Sequence, residues 1–263
     1  MSWIELAAYL GIGVCAGLTA GLLGVGGGIV VVPALVWVFS EAGFAAEWSF
    51  HLAVGTSLAT LIGTGSASAY SHHRHGAVCW DLVQTLAPWL VIGAWIGTAG
   101  AGLLDATWLR CLFGLFQLYV GLSMLFERIQ GEPRKLPRSV TGLVATGIGS
   151  LSALLGIAGG TLTVPFLTRS GLDIRRAVAT AAACGPSIAM ASVLGFVVVG
   201  WGHVGLPPGS TGFVYWPAVA GILLASMPSA PVGVRLAHTL RLPVLKRVFA
   251  MLVLLAAAKL LSG

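Results

Sequence analysis

Long apolar blocks alternate with short polar connectors from one end of the chain to the other. Eight such blocks can be marked, and six of them have the ordinary length of a membrane-spanning helix. This pattern predicts an all-α, polytopic membrane protein. The blocks lie at about residues 6–38, 50–70, 82–104, 107–126, 140–167, 177–200, 212–233 and 244–262.

The first and fifth blocks are too long to cross a membrane as one straight helix. At 1.5 Å per residue they would measure about 50 Å and 42 Å, whereas the hydrocarbon core is about 30 Å thick. Each block carries a glycine cluster near its middle, Gly26–Gly28 in the first and Gly159–Gly160 in the fifth. Because glycine inside a helix costs roughly 1 kcal/mol relative to alanine, each cluster predicts a break, in the form of a re-entrant or hairpin helix.

The two breaks belong to an internal repeat. Residues 17–33 and 149–165 share eight identical residues in seventeen positions, where this composition would give roughly one or two by chance. A weaker match follows, between Ala53-Val54-Gly55-Thr56 and Ala177-Val178-Ala179-Thr180. The chain is therefore predicted to contain two four-block halves, residues 1–130 and 139–263, joined by a cytoplasmic linker at 131–138.

The basic residues predict how the two halves are oriented, because cytoplasmic loops are rich in lysine and arginine. If both glycine-broken blocks enter and leave the membrane on one side, twelve of the fourteen lysines and arginines become cytoplasmic, with Arg110 and Lys259 as the exceptions. The second half is then inverted relative to the first. If every block crossed once, this charge bias would be lost, so the inverted arrangement is preferred.

Composition excludes several classes of protein. The chain is 57% hydrophobic and only 8% charged, against about 25% charged in a typical soluble domain. The net charge of +6 comes from residues in the connectors, so it indicates cytoplasmic loops and no nucleic-acid partner.

The start of the chain, Met1–Glu5, lacks the positive region of a signal peptide, and the first block is expected to be retained. The four cysteines have no CxxC spacing and are expected to be small buried side chains, without a metal or cofactor.

The breaks are candidate anion sites. A half-helix that begins after a break presents free N–H groups and a partial positive dipole, and glycine lets a ligand approach the backbone closely. The alternative is that these glycines only allow helices to pack closely, and that nearby hydroxyls bond to their own helices. The predicted substrate-binding residues are Gly26, Gly27, Gly28, Thr56, Ser57, Gly159, Gly160, Thr161, Thr180 and Ser187.

A second group of residues is predicted to break or gate the helices. Pro33 and Pro165 stand five residues after the last glycine and are expected to kink or end the second half-helix. The stretch Cys184-Gly185-Pro186-Ser187 is expected to interrupt the sixth block at a similar depth. The complete group is Gly24, Pro33, Gly156, Pro165, Gly185 and Pro186.

No acidic or basic residue lies clearly at the centre of any block, so the usual elements of a proton relay are absent from the sequence pattern. An anion that leaves the cytosol gains about 2.3 kcal/mol per charge per 100 mV, so an anion exporter needs no relay. The histidines at 72, 73 and 75 are interpreted as polar end groups at the membrane surface, with metal or substrate contact as the less favoured alternative.

The stretch Gly21–Gly28 ending at Val32-Pro33, the stretch Ala53–Ser57 and the second, GIAGG-to-VP copy together resemble the sulfite exporter TauE/SafE family, also called TSUP or DUF81. The resemblance covers essentially the whole chain. It implies a multi-pass carrier of the plasma (inner) membrane, not an enzyme, for sulfite, sulfoacetate, thiosulfate or a similar anion. It further implies transport mostly in the export direction. Alternating access at the repeat interface is predicted by the inverted repeats and broken helices themselves. The second motif departs from the first in having Ala158 as its middle residue.

Other classes stay open at this level. A transporter of another small organic or inorganic anion, an anion channel and a scaffold subunit of a redox complex are the alternatives. An intramembrane enzyme is disfavoured because the chain lacks HExxH, GxSxG and paired intramembrane carboxylates. The expected partners are a small anionic substrate and the lipid bilayer, and a homodimer is compatible with the sequence. The transported anion and the coupling ion are not specified by these patterns.

Overall fold

The computed structural model describes residues 3–24, 26–125, 138–239 and 242–262. All but the last residue of the predicted linker 131–138 lie outside these ranges. The described residues form ten α-helices and one short β-hairpin. The helices are α1 (Trp3–Leu23), α2 (Gly28–Glu41), α3 (Ala46–Arg74), α4 (Trp80–Ala101), α5 (Ala106–Leu125), α6 (Arg138–Leu154), α7 (Gly160–Arg169), α8 (Ile174–Val199), α9 (Trp216–Thr239) and α10 (Leu242–Ser262), and the strands are β1 (Ser210–Thr211) and β2 (Val214–Tyr215).

The predicted all-α, polytopic architecture is confirmed. Among the described residues, six helices are long and apolar enough to cross a membrane, namely α1, α3, α4, α5, α8 and α9. The chain leaves many large apolar side chains exposed, such as Trp95, Leu115 and Leu194. Such exposure is unfavourable in water and is expected for surfaces that face lipid.

Both overlong blocks are broken at their glycines. The first block forms α1 and α2, and the fifth forms α6 and α7. The first break reverses the chain, because a Cβ at Gly27 would lie only 2.7 Å from the carbonyl oxygen of Ala16. In one straight helix these residues would be about 16 Å apart along the axis. The pair α1–α2 is therefore a helical hairpin.

The helices at the edges of the two halves pack in matching pairs. Helix α1 packs along α9, and Gly13 lies against Ile222 while Gly21 lies against Ala230, so the two helices run parallel. Small residues on both helices allow this close approach.

A second pair, which also joins one helix of each half, has the same geometry. Helix α6 packs along α4, where Gly93 lies against Thr146 and Gly97 against Ser150, so these helices also run parallel. In the predicted repeat α1 corresponds to α6 and α9 corresponds to α4, so these two pairs are the ones that an exchange of the predicted halves would interconvert.

The two central helices, α3 and α8, are equivalent in the repeat and run antiparallel. Gly55 approaches the side chain of Phe196, whereas Gly65 approaches Pro186, so residue numbers rise on one helix as they fall on the other. Helix α3 is also the most buried of the six long helices. The centre of the molecule is thus formed by equivalent helices of opposite direction.

Three prolines that the sequence predicts to kink, end or interrupt helices lie inside continuous helices, so no helix ends at any of them. Helix α2 continues past Pro33 to Glu41, and α7 continues past Pro165 to Arg169. Helix α8 is continuous across Gly185 and Pro186, so the predicted interruption of the sixth block is wrong. An interior proline lacks one N–H donor and its ring crowds the carbonyl four residues earlier, at a cost of about 3 kcal/mol. Packing on neighbouring helices therefore has to hold these segments in the helical conformation. Gly185 packs on Ala158, and Pro186 packs on Gly65.

Candidate functional site

The two helix breaks meet inside the protein. A Cβ at Gly26 would lie 2.5 Å from the methyl group of Ala158, and Gly28 packs against the carbonyl oxygen of Gly156. All four of these residues are buried. Two segments that lie more than a hundred residues apart thus form a single centre.

Equivalent glycines give the two breaks the same backbone conformation at two positions, although Gly26 has a φ of 82° and Ala158, which aligns with it, has no positive φ. Gly24 and Gly156 have φ values of 65° and 67°, and Gly27 and Gly159 have φ values of 76° and 73°. These angles lie in the left-handed region, which glycine adopts without the penalty that a Cβ introduces. This requirement explains why these glycines are among the residues that the two halves share.

Gly27 and Gly159 are also the N-cap residues of α2 and α7, and neither helix has a side-chain cap. The carbonyl oxygen of Gly159 accepts hydrogen bonds from the N–H groups of Leu162 and Thr163, at 3.0 Å and 2.8 Å. The N–H groups that precede them in the first turn have no acceptor within the helix. Each break therefore offers backbone donors and the positive end of a helix dipole to the same buried region.

A small cavity lies between the first break, the second break and the two central helices. The volume open to the centre of a water molecule is about 10 Å³, which is close to the minimum that one water molecule needs. This cavity is too small for an anion of several atoms. The cavity is lined by Ala20, Gly24, Gly26, Gly65, Ser68, Ala158, Ala181 and Ala182.

Ser57 is the predicted hydroxyl that the structure brings directly to a break. Its side chain is fully buried and donates a 2.8 Å hydrogen bond to the carbonyl oxygen of Gly156. The hydroxyl of Ser187 instead donates to the carbonyl oxygen of Cys184 in its own helix, at 2.7 Å. The alternative of local hydroxyl bonding therefore holds for Ser187 in this conformation.

Thr56 and Thr180 form matching hydrogen bonds between the two halves. Oγ1 of Thr56 accepts from the N–H of Tyr215, directly before α9, at 3.0 Å. Oγ1 of Thr180 accepts from the N–H of Cys79, directly before α4, at 3.1 Å. These contacts give the two threonines a role in joining the halves, and their role in binding substrate stays a prediction.

Three hydroxyl oxygens on α7 and α8 are buried and have no hydrogen-bond partner among the described residues, those of Thr161, Thr163 and Ser192. Thr163 is 1% exposed, and its Oγ1 lies 3.6 Å from the position of a Cβ at Gly159. Thr161 was predicted as a site residue, whereas Thr163 was not included. A comparison of the two repeats could have identified Thr163, because it aligns with the apolar residue Val31 of the first break.

Gln117 is a second residue that the predicted site does not include. It is fully buried on α5, and its Nε2 donates a 2.8 Å hydrogen bond to the carbonyl oxygen of Ile29. In a regular α-helix that carbonyl oxygen would accept a hydrogen bond from the N–H of residue 33, but residue 33 is a proline and has no N–H. Gln117 therefore replaces the missing backbone donor in the first turn after the first break.

His51 and His73 lie away from this centre, whereas His72 is buried on α3 one turn beyond the cavity residue Ser68. His51 is buried on α3, and its Nε2 lies 3.2 Å and 3.0 Å from the carbonyl oxygens of Ala101 and Leu104. In the cluster at the end of α3, Nδ1 of His73 accepts from the indole N–H of Trp80. Within the described part of the chain, no three side chains of His, Cys, Asp or Glu come together as ligands for a metal ion.

Comparisons with known proteins give a consistent result. The family described as Sulfite exporter TauE/SafE matches residues 9–260. A probable membrane transporter protein of Haemophilus influenzae is 34% identical over 250 residues, which cover 94% of each chain. A probable membrane transporter protein of Methanocaldococcus jannaschii is 26% identical over 226 residues, covering 84% of this chain and 80% of the relative. The probable membrane transporter protein MamO of Magnetospirillum gryphiswaldense is 27% identical over 98% of this chain but 45% of its own length. No solved structure matches the chain.

Proposed function

The chain belongs to the sulfite exporter TauE/SafE family, and from this premise we propose that it exports small sulfur-containing anions across the plasma (inner) membrane. The family and the names of the relatives indicate a multi-pass membrane transporter rather than an enzyme. Sulfite, sulfoacetate, thiosulfate and similar organosulfonates are the proposed substrates.

The contact between the two glycine breaks carries this proposal. The N-termini of α2 and α7 begin at Gly28 and Gly160, and the breaks that precede them touch at Gly26 and Ala158. Backbone N–H groups and helix dipoles at such termini bind anions without a basic side chain. The substrate is proposed to lie between Gly26–Gly28 and Gly159–Gly160.

Among the proposed hydroxyl ligands, Ser57 contacts the second break, and Thr161 directly follows Gly160 in the sequence. Ser57 already bonds to the carbonyl oxygen of Gly156, and Oγ1 of Thr161 is buried without a partner. The hydroxyls of Thr56 and Thr180 accept hydrogen bonds in this conformation, so each can still donate its own hydrogen to a substrate. Ser187 donates to the carbonyl oxygen of Cys184 and would have to release that bond to donate to the substrate.

Alternating access between the two inverted halves is the proposed mechanism. It is supported by the antiparallel packing of α3 and α8, which are equivalent in the repeat, and by the matching pairs α1–α9 and α4–α6. Transporters built from inverted repeats commonly hold the substrate near the midplane, on discontinuous helices at the interface of the repeats. The closed cavity between the breaks is consistent with an occluded state of such a cycle.

Transport by purified protein in proteoliposomes tests the proposal. Radiolabelled sulfite and sulfoacetate flux is measured with an imposed membrane potential and with a pH gradient in turn. We expect saturable flux that follows the potential, because export of an anion is favoured by about 2.3 kcal/mol per charge per 100 mV. Absence of flux for both anions would contradict the proposed substrates, and flux that does not saturate would indicate a channel.

A matched pair of variants in α7 tests the location of the site. Thr163→Val removes a buried hydroxyl that has no partner, while Thr168→Val removes a hydroxyl that bonds to the carbonyl oxygens of its own helix. We expect Thr163→Val to weaken transport about tenfold, the effect of losing one hydrogen bond to a charged ligand, and Thr168→Val to leave it unchanged. Equal transport by the two variants would place the substrate elsewhere.

A further inference from the structure

A second, larger cavity lies where α4 and α6 begin and α7 ends. The volume open to the centre of a water molecule is about 330 Å³, within the range of about 300–1,000 Å³ that small-molecule sites occupy. The exposed Thr85 lies at its mouth, while Leu86 and Leu167, both 2% exposed, form its inner wall. The basic connectors predict that this face of the protein is cytoplasmic.

Large aromatic side chains occupy the counterpart of this cavity at the opposite face. The offset that aligns the two glycine motifs makes Thr141 and Gly171, which line the cavity, the counterparts of Tyr9 and Phe39. Tyr9 is 1% exposed, and the fully buried Phe39 stacks on Phe44 with ring centroids 5.0 Å apart. Two rings in the first half thus correspond to a threonine and a glycine in the second.

The packing of Tyr9 shows what fills the space in the first half. A Cβ at Gly221 on α9 would lie 2.8 Å from Cβ of Tyr9, so the tyrosine lies directly against α9. The counterpart of Gly221 on α4 is Thr85, because the matching hydrogen bonds directly before the two helices align α4 with α9. Thr85 and Thr141 both line the cavity. The cavity therefore lies where the contact between Tyr9 and α9 lies in the other half.

One face of α7 leads from the cavity to the second break. Leu167 lines the cavity, Thr163 lies four residues before it, and Gly159 lies four residues before Thr163, so each step is about 6 Å along the helix. Thr163 is 1% exposed, and its Oγ1 has no hydrogen-bond partner within the described part of the chain. Buried hydroxyls are normally paired, so this one favours a partner that passes along the face during function.

One face of α6 runs beside it in the same direction. Thr141, Ala145, Ile148 and Ser152 follow one another at spacings of four, three and four residues, which places them on a single face. Oγ of Ser152 lies 3.2 Å from the position of a Cβ at Gly159. The cavity and the second break are thus at the two ends of the space between α6 and α7.

We propose that this cavity is the cytoplasmic entrance through which the transported anion reaches the second break. Tyr9 and Phe39 close the equivalent route at the external face. In this conformation Leu86 and Leu167 close the inner end of the entrance, so passage of the anion requires them to move apart. This inference rests on the proposed function and adds to it the route by which the substrate enters the site.

The charges beside the cavity favour an anion as its occupant. Within four sequence positions of a lining residue there are four arginines and two aspartates, so the formal charges sum to a positive value. A positive balance at a mouth raises the local concentration of anions. These residues are Arg138, Arg169, Arg175, Arg176, Asp81 and Asp173.

The experiment measures how fast a thiol at position 163 reacts from each side of the membrane. Thr163→Cys is made in a background without the four native cysteines, and a membrane-impermeant, negatively charged methanethiosulfonate is added to inside-out and right-side-out vesicles in turn. We expect faster reaction in inside-out vesicles, where the cytoplasmic face is exposed.

A matched pair of variants tests whether the reagent passes through the cavity. Thr141→Tyr gives the cavity the side chain that fills the other half, and it should slow the reaction at position 163 at least about tenfold, the effect of a barrier higher by about 1.4 kcal/mol. Leu143→Tyr is the control, because Leu143 is 75% exposed on the same helix and its replacement should leave the rate unchanged. Thr85→Tyr fills the cavity from α4 and replaces Thr141→Tyr if the latter gives no single size-exclusion peak.

Flux of sulfite and sulfoacetate in proteoliposomes gives the second readout. Without the cysteine substitutions, Thr141→Tyr should transport at least about tenfold more slowly than Leu143→Tyr. No reaction at position 163 from the cytoplasmic side, or equal reaction rates in the two tyrosine variants, would overturn the entrance. Slower reaction with unchanged flux would also overturn it and leave the proposed transporter. Absence of flux in the unmodified protein would overturn the proposed substrates alone, because the reaction rates still decide whether the cavity leads to the break.

Discussion

The hydroxyl of Ser57 donates a 2.8 Å hydrogen bond to the carbonyl oxygen of Gly156, which lies 99 residues later in the chain. Gly156 follows α6 and has a φ of 67°, so it is the point where the chain leaves the helix. The bond therefore ties a central helix of one half to the break of the other. The equivalent position in α8 is Ala181, which has no hydroxyl with which to hold the first break.

Replacing Ser57 by alanine is expected to destabilise the protein. The carbonyl oxygen of Gly156 would be left buried without this donor, which costs about 1–3 kcal/mol. The apparent melting temperature of the detergent-solubilised variant measures the effect. Ser187→Ala is the control, because that hydroxyl bonds only within its own helix, at the carbonyl oxygen of Cys184. If the melting temperature falls equally in the two variants, the hydrogen bond to Gly156 contributes no more to stability than the bond that Ser187 makes within its own helix.

Alanine at the capping glycines is expected to have graded effects. At Gly27, the φ of 76° adds about 1–2 kcal/mol of strain, and the new methyl group would meet the backbone oxygen of Ala16, which cannot move independently. At Gly159, the strain is similar, but the close neighbour is the mobile end of the Ile188 side chain. The melting temperature of Gly27→Ala should therefore be lower than that of Gly159→Ala. Gly147→Ala meets nothing within 4 Å and should be neutral or stabilising, so a loss there would contradict the ranking.

Leucine at the same glycines is expected to abolish transport. Gly27→Leu and Gly159→Leu would force a side chain against the backbone of Ala16 and the side chain of Ile188, and would displace the first turns of α2 and α7, where the anion is proposed to bind. Flux in proteoliposomes measures the loss, and membrane insertion with a single size-exclusion peak shows that each variant is assembled. Gly147→Leu places the same side chain on an open surface of α6 and should transport normally. Full activity of either break variant would exclude its glycine from the site.

The sequence predicts the helices and their breaks well because both follow from local properties. A block of about 50 Å cannot fit a core of about 30 Å, and the left-handed φ at Gly27 and Gly159 requires glycine in both halves. The same local reasoning fails at Pro186, where α8 is continuous. Helix propensity is a weak prior there, because the packing of Gly185 on Ala158 and of Pro186 on Gly65 decides the conformation.

The contacts of individual site residues cannot be predicted in the same way. Thr56 bonds to Tyr215, 159 residues away, and Thr180 bonds to Cys79, 101 residues away. Hydroxyls near a break have similar sequence surroundings whether they point to the break, to a neighbouring loop or, as for Ser187, to their own helix. Only the tertiary packing distinguishes these three cases.

Chemical labelling tests how the protein is oriented in the membrane. Leu103 and Val204 are 88% and 92% exposed in loops on the face where α3 begins. Arg74 and Ile174 lie on the opposite face, because α8 begins near the start of α4. From the basic connectors we expect single cysteines at 74 and 174 to be cytoplasmic, and those at 103 and 204 to be external. A membrane-impermeant maleimide should label only the external pair in intact cells, in a background without the four native cysteines. As a control, all four cysteines should be labelled once the cells are permeabilised. Labelling of positions 74 and 174 alone in intact cells would show that the orientation is opposite to the one proposed.

We expect Gln117 and Pro33 to be energetically coupled through the carbonyl oxygen of Ile29. The amide of Gln117 donates to this oxygen because Pro33 has no N–H to offer it. Gln117→Leu should therefore cost about 1–3 kcal/mol, since the carbonyl is left without a donor.

In a Pro33→Ala background the backbone N–H of residue 33 becomes available to the carbonyl oxygen of Ile29. The same Gln117→Leu change should then cost clearly less, and a double-mutant cycle on unfolding free energies should give a coupling of about 1 kcal/mol or more. Equal costs in the two backgrounds would show that Gln117 does not replace the missing donor. Because Ile29 is in the first turn after Gly27 and Gly28, the coupled pair holds the first break in position from α5. Transport by the double variant should for this reason recover relative to Gln117→Leu alone, together with its stability.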